Sequence, residues 1–111
     1  MGRVMDPQEY QRRAEACLQR VAAWLEGFDA DEVDYSGGDG KVTFEFPDGV
    51  RFVLNRQGAA SQMWFAAIDR ATHYDWDPQR ETWVDDRDGH DLYVNLAEVV
   101  GRKLAHPVPT P

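Results

Sequence analysis

The sequence predicts an α+β fold: a two-layer sandwich in which an antiparallel sheet of five to six strands carries the N- and C-terminal helices on one face. Three observations lead there. Apolar residues recur at three- and four-residue spacing near both ends of the chain. Between those ends, short segments alternate apolar and polar residues with a period of two. Tight turn signals separate the segments and leave no room for crossover helices, so the strands form a meander. Terminal helices can then cover one sheet face while the other stays open.

Asp6-Pro7-Gln8-Glu9 is a helix start. Asp6 can cap, Pro7 suits the first helical position, and Glu9 sits where a capping-box acid belongs. Tyr10, Ala14, Cys17, Leu18, Val21, Trp24 and Leu25 form the apolar stripe, and Gly27 is the expected C-cap. Cys17 lies on that stripe and reads as a buried structural cysteine. Residues 32–36 alternate as a first strand, with Val33 and Tyr35 inward. Gly37-Gly38-Asp39-Gly40 is a turn. Residues 41–46 form the second strand, with Val42, Phe44 and Phe46 inward, and Asp48-Gly49 marks a hairpin turn. The third strand spans 50–57, the fourth 62–68, the fifth 72–76 with Tyr74 inward, and the short sixth 83–85. Asp88-Gly89 turns the chain, and Asp91 caps a last helix whose stripe is Leu92, Leu96, Val99, Val100 and Leu104. The proline-punctuated residues 105–111 are expected to be a disordered tail, leaving 7–104 as a single domain.

Composition narrows the function. At 111 residues the chain can bury one modest core. Its net charge of −8 argues against nucleic-acid or anionic-membrane partners, which require clustered Lys and Arg, and favours basic surfaces or cations. A single cysteine excludes an internal disulfide and a thiolate cluster. There is no apolar run of membrane-spanning length and no recognisable secretion signal, so the expected location is the cytoplasm. No nucleophile elbow, phosphate loop, dinucleotide fingerprint or zinc spacing is present, so the protein reads as a non-enzyme.

Two surfaces remain. Glu26, Asp29, Asp31, Glu32 and Asp34 crowd the end of the first helix and the start of the first strand. Their oxygens are hard ligands suited to Mg, Ca, Mn or Fe, though an open array binds weakly. The same acids fit docking to a basic protein surface or a merely solvated face. On the third and fourth strands, Leu54, Met63 and Phe65 share one face, while Asn55, Gln57, Gln62 and Trp64 share the other. A large indole among amides reads either as a contact surface or as a ring lying under a loop or helix. His73 and Asp75 share a strand face and could hold one metal together, although an exposed non-ligand histidine is the commoner case.

Val33-Asp34-Tyr35-Ser36, Val42-Thr43-Phe44-Glu45-Phe46, Asp48-Gly49, Asn55-Arg56-Gln57, Gln62-Met63-Trp64-Phe65-Ala66-Ala67, His73-Tyr74-Asp75-Trp76, Trp83 and Asp88-Gly89 together resemble the frataxin family, in its bacterial, CyaY-like branch. The similarity runs in order over about residues 7–104. It implies a role in iron homeostasis and iron–sulfur cluster assembly, with ferrous or ferric iron bound weakly and other divalent metals as substitutes. Carried over by position, the metal-binding ridge is Glu26, Asp29, Asp31, Glu32 and Asp34, with Glu9, Glu15, Asp39 and Glu45 outlying and His73 with Asp75 a further site. The implied partners are a cysteine desulfurase and an iron–sulfur scaffold protein, met by Asn55, Gln57, Gln62, Trp64 and His73. A monomer with metal-induced oligomers is expected. Alternatives are an interaction module with incidental metal binding and a weak ferroxidase or iron store. One departure matters: the second half of helix one is acidic in many bacterial members, but here it carries Arg20, Ala22 and Ala23, with Arg12 and Arg13 upstream.

Overall fold

The computed structural model describes residues 5–111. Helix α1 (Pro7–Glu26) starts where expected: the Asp6 carboxylate accepts hydrogen bonds from the Gln8 N–H at 2.8 Å and the Glu9 N–H at 3.4 Å. The helix buries Tyr10, Ala14, Cys17, Leu18, Val21 and Leu25 on one stripe. Gly27 closes α1 with φ −75°, an ordinary right-handed conformation, so it does not use its freedom as glycine.

Six strands follow: β1 (Asp34–Gly38), β2 (Lys41–Glu45), β3 (Arg51–Gln57), β4 (Gln62–Ala66), β5 (Ala71–Asp77) and β6 (Thr82–Asp85). They pair antiparallel in sequence order, and helix α2 (Leu92–Leu104) closes the chain. Each strand differs by a residue or two from the periodicity reading, and β1 and β4 differ most. β1 begins at Asp34, two residues late, because a turn intervenes in which the Asp29 carbonyl accepts from the Glu32 and Val33 N–H groups at 2.8 and 3.2 Å. It then runs through both glycines, and Gly38 pairs with Lys41. The reversal falls on Asp39-Gly40 alone, with φ 56° and 74°, the two left-handed residues of a tight hairpin. β4 stops at Ala66 rather than Ile68, which lies in the β4–β5 loop with 69% of its surface exposed.

The expected inward residues meet in one core. Phe44 and Phe52 face each other across β2 and β3, and both contact Phe65, with centroids at 5.7 and 5.9 Å. Trp83 is fully buried against the edge of Tyr10, whose hydroxyl donates to the Gln62 carbonyl at 2.9 Å. From α2, Leu92, Leu96 and Val100 are fully buried. Asp91 caps this helix, accepting from the Tyr93 and Val94 N–H groups, while its second oxygen accepts from the Thr82 hydroxyl. Cys17 is buried in the same layer, which pushes its thiol pKa up to about 12.

Residues 105–111 form a strap that runs back along α1 and the turn after it. The Trp24 indole N–H donates to the Pro109 carbonyl at 2.8 Å, and Arg20 Nη2 donates to the Pro111 carbonyl at 2.7 Å. Val108 packs on the core, and His106 Nε2 lies 2.6 Å from Glu32 Oε2. Prolines cannot extend a helix, but they lose little backbone entropy on ordering, and their carbonyls remain strong acceptors. No described helix is long and apolar enough to cross a membrane.

Candidate functional site

The acidic edge is built by the turn from α1 into β1. Glu26, on the last turn of α1, accepts the Tyr35 hydroxyl at 2.5 Å. That bond to a carboxylate raises the Tyr35 pKa above its ordinary value, since ionising the phenol would place two anions together. Asp29, Asp31 and Asp34 are exposed, and Glu32 is half-buried by its pairing with His106. Asp34 pairs in register with Glu45, so it lies on the opposite sheet face from Tyr35. The five acids therefore wrap around the sheet edge and do not form a cage. Among the described residues, no three of them bring ligand atoms within 4.8 Å of one another.

The surface of α1 is not an extension of that ridge. Arg13 lies over the Trp76 ring at 4.4 Å and 3.7 Å from Glu9, and Arg20 stacks on Tyr93 at 3.9 Å. These arginines are anchored by aromatic rings as well as by charge.

The open sheet face assembles by register. Lys41 pairs with Asn55, Asn55 with Trp64, and Trp64 with His73, giving one row across four strands. The next row runs Gln57, Gln62, Asp75, Val84. Trp64 is half-exposed and lies on the sheet face opposite the buried Met63 and Phe65. The covering group is a neighbour in its own sheet: the His73 imidazole stacks on the indole with centroids 4.3 Å apart and planes 17° from parallel. The indole N–H donates to Gln62 Oε1 at 2.9 Å, and Gln62 Nε2 donates to Asp75 at 3.0 Å and Asp86 at 3.1 Å. His73 Nδ1 lies 3.9 Å from the same Asp86 carboxylate. The arrangement thus gives His73 the partner Asp86, while Asp75 is engaged by the Gln62 amide. Asp86 was absent from the sequence-derived site because it follows the sixth strand, where no alternation marks its direction. Its N–H donates to the His73 carbonyl at 2.9 Å, which draws it beside the histidine.

A second group missed by pattern lies in the β6–α2 turn. Ligand atoms of Asp85, Asp88 and His90 fall within 4.8 Å of one another. Each is already engaged. Asp85 accepts from the Arg87 and Asp88 N–H groups, Asp88 from the His90 N–H, and His90 sits 2.6 Å from Asp88 through Nδ1 and 2.8 Å from the Tyr74 hydroxyl through Nε2. The bonds from His90 hold the Asp88 carboxyl below its ordinary range. The spacing Asp-x-x-Asp-x-His was visible in the sequence, but Asp88-Gly89 reads first as a turn.

The order of strands, the two helices and the placement of these surfaces can be set beside known proteins. The Frataxin-like domain family matches residues 3–106. The chain belongs to the frataxin family. Among its relatives is a protein of Thioalkalivibrio sulfidiphilus named iron-sulfur cluster assembly protein CyaY, 39% identical over 88 residues, covering 78% of this chain and 82% of that one. The structure of frataxin from Psychromonas ingrahamii superposes with a TM-score of 0.83 at 26% identity, covering 94% of this chain and 96% of the other. Trimeric frataxin from the yeast Saccharomyces cerevisiae, complexed with ferrous iron, matches with a TM-score of 0.60 at 21% identity, covering 95% and 91% of the two chains. At that identity it shares the fold. Within this frataxin fold, the described helices and six-stranded sheet are those expected from the resemblance.

Proposed function

We propose that this protein works in iron–sulfur cluster assembly, binding iron weakly as cargo along the acidic edge and docking on a cysteine desulfurase–scaffold complex to modulate it. The observation that carries the reading is the pairing of two unlike surfaces on one rigid sheet. Glu26, Asp29, Asp31, Glu32 and Asp34 form an electronegative edge, and the Asn55–Trp64–His73 row with Gln57 and Gln62 offers a flat amide–aromatic face. Exposed carboxylates steer a basic partner and capture hard cations at low affinity. A half-exposed indole whose N–H is already bonded presents its apolar surface without a desolvation penalty. Family membership and the name of the Thioalkalivibrio relative support the same process.

The open spacing of the acids favours a second reading, in which the edge serves protein docking and its metal binding is incidental. Anaerobic ferrous titration followed by amide NMR separates the two. Line broadening confined to residues 26–34 at sub-millimolar iron supports iron as cargo; its absence supports docking alone. Replacement of Asp31 and Asp34 by Lys is expected to weaken desulfurase binding at least tenfold. Trp64→Ala should weaken the same complex while leaving iron binding unchanged. Desulfurase affinity unchanged in both variants would refute the proposal.

A further inference from the structure

The β4–β5 loop and α2 border a half-open cavity of about 360 Å³, on the sheet face opposite the amide–Trp64 row. Phe52, Phe65 and Val99 supply apolar lining, and Ile68 stands at the site as one of only two strongly exposed large apolar side chains among the described residues. The volume falls in the range of small-ligand sites, and the lining divides between an apolar part and a polar part. Its polar lining is unusual for this chain. Although the net charge is −8, the cavity is lined by Arg70, Arg102 and Lys103 against a single acid, Asp69. Lys103 is already paired with Asp48. Arg70 and Arg102 have no side-chain hydrogen bond or ion pair among the described residues. Arg102, in the last turn of α2, also complements the helix dipole, but Arg70 lies in a loop and has no such role.

We propose that this cavity is a binding site for a small monocarboxylate with an apolar body. The apolar part would fill the space between Ile68, Phe52, Phe65 and Val99, and the carboxylate would meet the Arg70 and Arg102 guanidiniums, whose forked donors match its two oxygens. A single negative charge is favoured over a dianion because two unpaired cations work against Asp69 and a strongly acidic molecule. The site is independent of the acidic edge and of the amide–Trp64 face, so it stands or falls separately from the function proposed above.

The test is a titration of the full chain with octanoate, read by amide NMR, with octanol and octylammonium as neutral and cationic controls of the same length. Octanoate is expected to shift residues 67–72, Asn95, Val99 and Arg102 with a common saturation curve, and both controls should bind at least fivefold more weakly. Arg70→Gln with Arg102→Gln should weaken octanoate at least tenfold and leave octanol unchanged. Ile68→Asp should weaken both. All three positions are exposed, and an unchanged remainder of the spectrum reports an intact fold. Shifts scattered over the surface, equal binding of octanol, or octanoate affinity unaffected by the double replacement would each overturn the assignment.

Discussion

Tyr74→Phe isolates the polar network that fastens α2 to the sheet. Tyr74 is fully buried, and its hydroxyl accepts a hydrogen bond from Asn95 Nδ2 at 2.9 Å while lying 2.8 Å from His90 Nε2. His90 Nδ1 is in turn 2.6 Å from Asp88. With Nδ1 protonated toward Asp88, Nε2 accepts the Tyr74 proton, and each group in the chain is satisfied. Among the described residues no buried side-chain N or O lacks a partner, so the variant introduces a defect the native protein does not have. Removing the oxygen leaves ring packing intact but strips one partner from Asn95 and one from His90. Both are half-buried, so water recovers part of the loss. Two hydrogen bonds at about 1 kcal/mol each set a loss of roughly 2 kcal/mol. For a chain of 111 residues, that corresponds to a fall in Tm of roughly 9 °C. Urea unfolding followed by tryptophan fluorescence should show a lower midpoint with an unchanged slope. A double-mutant cycle with Asn95→Ala should give a coupling of about 1 kcal/mol. A loss below about 0.5 kcal/mol, or strictly additive effects, would refute the network as a fastener of α2.

Three further outcomes are expected. The His106 pKa is raised above its ordinary 6.5 by its bond to the Pro107 carbonyl and by Glu32, so the strap contact is fully present below about pH 6.5 and is lost as pH rises through the folded-state value; NMR titration of the His106 ring should show the raised pKa, and Glu32→Gln should lower it. Asp91→Ala removes the α2 cap and the acceptor of the Thr82 hydroxyl, and should cost about 1–2 kcal/mol in denaturant unfolding. Cys17, with its thiol pushed up to about 12 inside the core, should resist thiol reagents in the native state and react only as fast as the chain opens, so that labelling rates rise in parallel with urea-induced unfolding.

The sequence by itself determined the elements. Asp6 and Asp91 announced both helix starts because a carboxylate at that position has backbone donors to satisfy wherever the helix goes. The alternation of Val42, Phe44, Phe52, Leu54, Met63, Phe65 and Tyr74 specified which face of each strand is buried, since one-residue slips would expose it. The acidic edge was read from the crowding of acids over residues 26–34, and the Asn55–Gln57–Gln62–Trp64 face from the same periodicity. Strand ends were less legible: Val33 reads as part of a strand, yet its N–H is taken by a turn, and Ile68 is apolar yet exposed. What only the tertiary structure decided are the contacts between segments distant in sequence. The stacking of His73 on Trp64, the meeting of Gln62 with Asp86, the clamp of His90 on Tyr74 and the docking of the strap on Trp24 and Glu32 all depend on strand register and helix placement. No local pattern encodes such pairs, because periodicity reports the face on which a side chain lies and not the partner it finds there.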